Sequence, residues 1–513
     1  MTAQTAASPA ARSIETWTLV ATILASSMAF IDGSALSIVQ SILQRDFNAD
    51  YNLIAWVING YNLMLAALIL VGGSLGDQYG RKRIFLIGIV IFTAASLACG
   101  LAPTIELLII ARIVQGIGGA LMVPGSLALI TAVFPSERHG AAIGTWSAAG
   151  ALMVIVGPVL GGQFAAADFW RGVFFINLPI ALVALYGLTR VPESRDNTLT
   201  GSLDIPGALL ATLGLAGITY GFTEAPSQGW TQPVVLIALV GGIAALVAFV
   251  IVEARSREPM MPLRLFRSRT FSGTNLLTLF LYAGLTLVSV FAPLNLLEIQ
   301  NYPPEIASLA LLPLAISLII LSRVTGGLVG RIGARWMLTI GPIIAGIGMF
   351  LLGVPGITSG AGEYWTTFFP GSLLLGIGMG ITVAPLTTAV MGSAPTEMSG
   401  TASGINNAVS RAAGVLAIAI FTALALTVFN NGVQSRVAPL NLSADVQAQL
   451  ANESAKLANA GVPDSIPAAD QPAVADAQQW AFVETFRMIM WSAAGLAFLS
   501  AIMAFVLVED RKR

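Results

Sequence analysis

The sequence predicts an all-α polytopic membrane protein, and its composition is the first reason. Of its 513 residues, 56% are hydrophobic and only 10% are charged, whereas roughly 25% of the residues of an ordinary soluble domain are charged. The mean hydropathy is +0.82. A soluble chain of this kind would lack the polar groups to cover its surface. The second reason is that long apolar segments recur along the chain, near the roughly 20 residues that a helix needs to cross a bilayer.

Fourteen apolar segments are bounded by glycine, proline and charged residues, and we predict that each is a transmembrane helix. The fourth and thirteenth are longer than a bilayer requires, so we expect them to be tilted or kinked. In chain order the segments are 17–41, 54–75, 84–102, 105–134, 141–165, 172–190, 203–223, 233–253, 272–297, 306–326, 336–355, 366–392, 400–429 and 482–508.

The basic residues indicate how these segments are oriented. With the N-terminus in the cytoplasm, most of the 25 basic residues fall on the inner side, as the positive-inside rule requires. An even number of helices returns the C-terminus to the same side, where the chain ends in Arg511, Lys512 and Arg513. Residues 1–16 lack the pattern of a signal peptide. We therefore expect a multi-pass protein of the cell (inner) membrane, with a cytoplasmic N-terminal tail at 1–16 and both termini in the cytoplasm.

Charge and rare residue types exclude several functions. The formal net charge is −1, so no basic field attracts nucleic acid. A single cysteine, Cys99, and a single histidine, His139, exclude a disulfide within the chain and a histidine-rich metal site. No phosphate-binding loop of the G-x-x-x-x-G-K-[ST] type is present, which argues against ATP coupling. We expect no metal, no cofactor and no enzymatic activity, since an intramembrane enzyme would need clustered His, Cys or Asp.

One connection, at about 430–481 on the outer side, is much longer than the others. It is rich in alanine, asparagine, glutamine and proline, and it holds more acidic than basic residues. The favoured interpretation is a solvated loop. The alternative is that residues Ala444–Ala460 form a short helix at the outer surface.

Two parts of the sequence resemble each other at long range. Gly73, Leu75 and Gly80 recur 253 residues later as Gly326, Leu328 and Gly333, and a second set recurs 260 residues later: Gly116 with Gly376, Gly118 with Gly378, Pro135 with Pro395, Glu137 with Glu397, Gly140 with Gly400, and Gly144 with Gly404. The matches fall after equivalent helices, so the first six segments correspond to the last six. This predicts a six-helix half at 17–200, an inserted helix pair at 201–258, and a second half at 259–513, an architecture suited to alternating access.

Several motifs resemble those of the major facilitator superfamily, and in particular its fourteen-helix drug:proton antiporters (EmrB/QacA-like). The loop between the second and third segments is similar to the family's best-known motif, and the others lie in segments one, four and five. The matching stretches are Gly73-x-Leu-x-Asp77-x-x-Gly80-Arg81-Lys82-Arg83, Phe30-Ile-Asp32-Gly-Ser34, Leu108-Ile-Ile-Ala-Arg112-Ile-Val-Gln115-Gly116 and Gly157-Pro158-Val-Leu-Gly161-Gly162. The resemblance runs from about residue 17 to 508 and implies a major facilitator fold with 14 transmembrane helices.

The resemblance also assigns roles to two of these motifs. It implies that Gly73, Asp77, Gly80 and Arg81 form an inner gate. In the second copy Gly330 takes the place of the acid, so that gate would be asymmetric. The antiporter motif, made of Gly157, Pro158, Gly161 and Gly162, is expected to bend the fifth segment and seal it against leaks, because proline removes a backbone donor. The alternative is a helix with a merely structural kink.

Asp32 and Arg112 are charged residues at membrane depth, where a charge costs about 2.5–3.5 kcal/mol on insertion scales. Both lie roughly 10–13 Å below the outer surface, given a rise of about 1.5 Å per residue. Burial favours a neutral carboxyl and a nearby cation favours an ionised one. We therefore expect Asp32 to load and release a proton, with Arg112 as its modulator. The alternative, a structural ion pair, stays open.

A third deep charge, Arg411, is predicted near the middle of the thirteenth segment. Asn407 lies one turn earlier on the same face, and Asn406 is its neighbour in sequence. We expect this polar face to line a substrate cavity, together with Asp32, Ser37 and Gln115. The alternative is hydrogen bonding between helices. No acid lies deep in segments nine to fourteen, so neutral, amphipathic or anionic substrates are at least as compatible as dications.

The sequence therefore predicts a proton-coupled antiporter that exports small hydrophobic or amphipathic compounds, of the multidrug efflux and antibiotic resistance type. Its energy source would be the proton gradient, and its partners would be a small-molecule substrate, protons and the lipid bilayer. The resemblance allows a periplasmic adaptor and an outer-membrane channel, and the chain is otherwise expected to be a monomer. Two alternatives stay open: a dedicated exporter of one metabolite, lipid or siderophore, and a non-transporting membrane receptor or scaffold.

Overall fold

The computed structural model is helical along its length and describes residues 9–135, 138–194, 204–256, 259–395, 398–440 and 442–509. The prediction of an all-α polytopic membrane protein is confirmed, since twelve helices among these residues are long and apolar enough to cross a membrane. Some predicted features lie outside the described residues: the first half of the N-terminal tail, Glu137, Glu397 and the basic C-terminal end.

The first seven helices correspond to predicted segments one to six. Helix α1 is longer than predicted at both ends, since it begins in the N-terminal tail and continues to Asp46. The sixth segment consists of two pieces, α6 and α7, which together make an apolar helix over Gly172–Leu188. The bounds are α1 Pro9–Asp46, α2 Tyr51–Tyr79, α3 Arg81–Leu101, α4 Ile105–Val133, α5 His139–Ala166, α6 Gly172–Phe175 and α7 Asn177–Leu188.

The remaining helices follow the predicted order with short additions. A π-helical turn, Asn295–Ile299, extends α10, and two short helices, α11 and α14, precede longer ones. The bounds are α8 Ile205–Gln228, α9 Pro233–Arg255, α10 Arg269–Leu294, α11 Pro304–Leu309, α12 Leu312–Ile332, α13 Ala334–Leu352, α14 Tyr364–Thr367, α15 Phe369–Gly392, α16 Ser399–Val437, α17 Ala444–Ser454 and α18 Gln471–Leu507.

The predicted count of fourteen spans is not confirmed, because twelve of the described helices meet the length and hydropathy expected of a span. The two positions in question are the fifth and sixth. Helix α5 has 28 residues but is not among the twelve, and the Gly172–Leu188 helix is shorter than the others.

Glycines set the close helix crossings, and the same crossings recur at the spacing of the sequence repeat. A Cβ atom on Gly116 would lie 2.4 Å from the carbonyl oxygen of Tyr61, and a Cβ on Gly376 would lie 2.5 Å from that of Leu314. These are the crossings of α4 with α2 and of α15 with α12. The crossings of α4 with α3 and of α15 with α13 are alike in the same way, at Gly118 with Phe92 and at Gly378 with Ala345.

The outer connection differs from the solvated loop that the sequence favours. Helix α16 continues to Val437, α18 begins at Gln471, and the intervening chain contains α17. Leu450 and Leu457 in this stretch are buried. These apolar side chains pack against the helix ends, so the stretch forms a compact cap. Two leucines in a mostly polar sequence are a weak indication of such packing.

The cap is hydrogen-bonded to the end of α1 and the start of α2. The side chain of Gln44 donates to the carbonyl oxygen of Lys456 at 2.9 Å and accepts from Asn459 at 2.8 Å. The N–H of Tyr51 donates to the carbonyl oxygen of Ala455 at 3.0 Å. The pKa of the nearby Asp50 carboxyl is raised by burial, and the positive charge of Lys456 in the cap only partly offsets this rise. These bonds tie the C-terminal part of the chain to the first two helices.

We predict that Gly72→Ala destabilises the protein and that Gly73→Ala does not. A Cβ on Gly72 would lie 2.0 Å from the carbonyl oxygen of Ala120, whereas the nearest atom to a Cβ on Gly73 is 3.7 Å away on a side chain. Overpacking of this kind costs about 1–3 kcal/mol. The measurement is the melting temperature of each purified variant in detergent. Equal melting temperatures would show that α2 and α4 do not cross as described.

Candidate functional site

A buried cluster joins α1 to α4. Asp32 is 0% exposed and Arg112 is 1% exposed. A guanidinium nitrogen of Arg112 donates to Asp32 Oδ2 at 2.5 Å, and Gln115 Nε2 donates to Asp32 Oδ1 at 2.9 Å. The same guanidinium nitrogen also donates to Gln115 Oε1 at 2.8 Å. Every oxygen of the carboxylate therefore has a donor, which is what allows a charge to remain buried.

Backbone and aromatic groups hold Arg112 in this position. Its Nε donates to the carbonyl oxygen of Val57 at 3.1 Å, and the ring of Tyr61 lies 4.5 Å from the guanidinium carbon. Both groups belong to α2, which crosses α4 closely at Gly116. A cation over an aromatic face is stabilised by about 2 kcal/mol when it is desolvated. Arg112 is therefore held on one side by α2 and on the other by Asp32, so protonation of Asp32 would leave it with partners.

Gln115 was predicted to line the substrate cavity, but it lies inside this cluster. It is fully buried, and the thiol of Cys99 also contacts its Oε1, at 3.7 Å. Its role in binding Asp32 has one sequence indication, since Gln115 is three residues after Arg112 and so shares a helix face with it.

The structure leaves an opening at Gly33, the residue that follows Asp32. Helix α1 is flanked by α4, α5, α7 and α10, yet Gly33 is exposed and no atom lies within 4 Å of the place of a Cβ. Ser37, one turn further along α1, is partly exposed. The opening thus begins at the residue that follows Asp32, whose own carboxylate is buried in the cluster.

Helix α16 contributes a polar face, as predicted, but its residues differ in what they contact. Asn407 is exposed and Arg411 is partly exposed. Arg411 lies near the phenol groups of Tyr61 and Tyr282. Asn406 instead donates to Thr278 Oγ1 at 2.7 Å on α10, which is the alternative of hydrogen bonding between helices. Asn406 and Asn407 differ because successive residues of a helix point about 100° apart. The sequence alone does not show which of the two faces a neighbouring helix.

The glycine motif of α5 lies between α1 and α11. A Cβ on Gly161 would lie 2.7 Å from the carbonyl oxygen of Ala35, and a Cβ on Gly162 would lie 2.6 Å from Ser308 Oγ. Gly157 lies against Ser34 in the same manner, and Pro158 is inside the helix. The α1 residues that these glycines contact, Ser34 and Ala35, are within one turn of Asp32, so α5 links the surroundings of Asp32 to α11.

The predicted inner-gate residues lie together at the turn from α2 to α3. Asp77 and Arg81 form an ion pair at 2.8 Å, and Gly80 has a φ of 111°, a conformation that favours glycine. Glu193 was not predicted to take part. Its carboxylate accepts from the N–H groups of Lys82 and Arg83 at 3.0 and 3.1 Å, where the positive end of a helix favours an anion.

No group of three or more His, Cys, Asp or Glu residues that could hold a metal ion is found in the part of the chain that the structure describes. The expected absence of a cofactor remains a prediction.

The sequence was compared with models of known families. The model described as Major Facilitator Superfamily matches residues 22–418, which include the buried cluster, the gate and the glycine motif. The chain belongs to the Major Facilitator Superfamily. The fourteen-helix drug:proton antiporter branch is not confirmed by this match.

Curated relatives of this Major Facilitator Superfamily chain are named as resistance or export proteins. The multidrug resistance protein Stp of Mycobacterium tuberculosis is 35% identical over 396 residues, which are 76% of this chain and 72% of that protein. The tetracenomycin C resistance and export protein of Streptomyces glaucescens is 31% identical, over 79% of this chain and 75% of that protein. A puromycin resistance protein of Streptomyces alboniger is 34% identical, over 79% of this chain and 80% of that protein. Family and relatives point to a membrane transporter of small molecules and not to an enzyme.

Solved transporters share the fold. A bacterial homologue of the human lysosomal transporter Spinster, in an inward-facing and unoccupied conformation, has a TM-score of 0.69 at 18% identity and covers 98% of each chain. The xylose transporter XylE of E. coli has a TM-score of 0.57 at 16% identity and covers 97% of each chain. At this identity the likeness shows the fold alone.

We predict that Gly33→Leu impairs export without destabilising the protein. The new side chain would enter the opening beside Asp32, and glycine is the poorer helix former by about 1 kcal/mol. The matched control is Gly241→Leu, since Gly241 is also exposed with no atom near the place of a Cβ but lies on α9, which is largely exposed to the surroundings of the bundle. The measurements are drug resistance of expressing cells and the melting temperature. Equal resistance in both variants would contradict an opening at Gly33.

Proposed function

We propose that the protein is a proton-coupled antiporter that exports small hydrophobic or amphipathic compounds by alternating access. The observation that carries the proposal is the buried Asp32, held by Arg112 and Gln115 beside the opening at Gly33. The proposal requires Asp32 to alternate between two forms. Ionised, it is paired with Arg112; protonated, it is neutral and compatible with burial. The proton gradient would supply the energy, with no cofactor.

Protonation of Asp32 changes the contact between α1 and α4. The neutral carboxyl loses its charge attraction to Arg112 and accepts a hydrogen bond from it only weakly, whereas Arg112 keeps its bonds to Val57 and Gln115. Helix α1 then moves relative to α4, and the close packing of Gly157 and Gly161 against Ser34 and Ala35 transmits this movement to α5. Because Gly162 contacts α11, the movement reaches the C-terminal part of the chain, which is the step that alternating access requires.

The proposed architecture has fourteen spans, which include α5 and the Gly172–Leu188 helix. It consists of a six-helix half at 17–200, an inserted pair at 201–258 and a second half at 259–513, as the recurring glycine crossings support. The protein would lie in the cell membrane with both termini in the cytoplasm, where Asp77, Arg81 and the α3-capping Glu193 would form the inner gate.

The substrate would bind in the opening, in contact with Ser37, Asn407 and Arg411. Tyr61 lies near both Arg411 and Asp32, so a compound bound at Arg411 would be close to the proton-binding carboxyl. Relatives named for tetracenomycin C or puromycin support antibiotic export. Since a further relative is named a probable actinorhodin transporter, a dedicated exporter of one compound is the second candidate.

The test is Asp32→Asn in inverted membrane vesicles that are acidified inside. Radiolabelled puromycin and tetracenomycin C serve as probes, and their uptake and the internal pH are followed together. In wild-type vesicles we expect uptake to depend on the pH gradient and internal pH to rise with it. In Asp32→Asn we expect gradient-driven uptake to fall at least about tenfold, since the amide cannot change charge.

The control variant is Asp46→Asn. Asp46 is a carboxylate of the same helix, but it is exposed at the outer end and bonded to Arg171 and Trp170, so uptake should remain near the wild-type value. Gradient-driven uptake that persists in Asp32→Asn, at an equal amount of protein in the membrane, would overturn the proposal. Uptake of one probe alone would favour the dedicated exporter.

A further inference from the structure

Two carboxyl groups meet at the inner ends of α8 and α9, far in sequence from Asp32. Glu253 lies in the last turn of α9 and is 2% exposed. Asp204 directly precedes α8, and its Oδ1 accepts the N–H of Gly207 at 2.9 Å as a helix cap. Glu253 Oε2 accepts the N–H of Met261 at 2.9 Å. One oxygen of each carboxyl is therefore fixed by the backbone.

The other two oxygens, Asp204 Oδ2 and Glu253 Oε1, lie close to the same point beside Gly207. Both are buried, and neither accepts a hydrogen bond from a neighbouring donor among the described residues. A Cβ on Gly207 would lie 2.6 Å from Asp204 Oδ2 and 2.8 Å from Glu253 Oε1, so both oxygens approach the space that this glycine leaves open. The two side chains are within hydrogen-bonding reach of each other.

No cation compensates this pair in the described part of the chain. None of its ion pairs includes Asp204 or Glu253, and Arg255, the nearest basic residue on α9, is exposed. Among the residues that the structure describes, the only charged group found to act on Glu253 is Asp204 itself. Two ionised carboxylates that lie side by side in a buried site repel each other strongly. A single proton turns the repulsion into a short, charge-assisted hydrogen bond.

We propose that Asp204 and Glu253 form a proton-binding site at the inner ends of α8 and α9, in which the two carboxyl groups share one proton. The site is separate from the Asp32 cluster and does not depend on the proposed function. It holds the start of α8, the end of α9 and Met261, which lies in the segment that leads to α10. Loss of the proton would loosen this junction, because the two carboxylates would then repel.

The test is infrared spectroscopy of the full-length protein at neutral pH, in which the spectrum of each variant is subtracted from that of the wild type. We expect the spectrum of the wild type to contain the C=O band of one un-ionised carboxyl that is absent from both Glu253→Gln and Asp204→Asn. Either amide donates an N–H to the remaining carboxylate permanently, and asparagine caps a helix about as well as aspartate, so both variants should fold. The matched control is Glu224→Gln at the outer end of α8, whose carboxylate already accepts from Trp56 and Gln228 and should contribute no such band.

If neither variant loses a band of this kind, both carboxyls are ionised and the proposal is wrong. A measurement on the wild type alone covers the case in which the variants fail to fold. The folded protein would hold a proton that unfolded carboxyls release at about pH 4, so its melting temperature should fall as the pH is raised through the release of that proton. A melting temperature that is constant or rises over this range would overturn the proposal.

Discussion

The contact on which the rest of the molecule depends is the hydrogen-bonded ion pair of Asp32 and Arg112. Buried ions cost several kcal/mol each, and removing one partner of such a pair costs about 3–5 kcal/mol. The pair persists because Gln115 supplies a second donor to the carboxylate and the carbonyl oxygen of Val57 accepts from the guanidinium. Three helices must therefore stay in fixed register, and glycine crossings such as Gly116 against Tyr61 keep them close enough.

The two repeats share their packing but not their chemistry. At the repeat spacings, the positions of Asp32, Arg112 and Gln115 correspond to Leu285, Ser372 and Leu375, so the C-terminal copy has no acid, no base and no amide there. The crossings of α4 and α15 are nevertheless alike. A proton-dependent step would thus begin in one half and be carried to the other through packing, with α5 as the helix that contacts both α1 and α11.

The sequence predicts well what depends on local pattern. Apolar length predicts the helices, and glycine spacing predicts both the repeat and the turn at Gly80. Counting residues also puts Asp32 and Arg112 at a similar level of their helices, where the structure pairs them. What the sequence misses depends on helix rotation or on long-range contacts: Asn406 turns toward Thr278, Glu193 caps a helix more than a hundred residues earlier, and Asp204 meets Glu253 across the inserted pair. The cap was missed because its sequence is mostly polar, and only a few apolar side chains, such as Leu450, hold it in place.

The central claim is that Asp32 exchanges a proton when a compound binds, and the most direct measurement is proton release by the purified protein. Puromycin is added to the protein in weakly buffered solution, and a pH-indicating dye reports the change. Since coupling between two ligands is reciprocal, the account predicts that the wild type releases up to about one proton per compound bound and that Asp32→Asn binds the compound but releases none. Equal release from both proteins, or binding to the wild type without release, would contradict it.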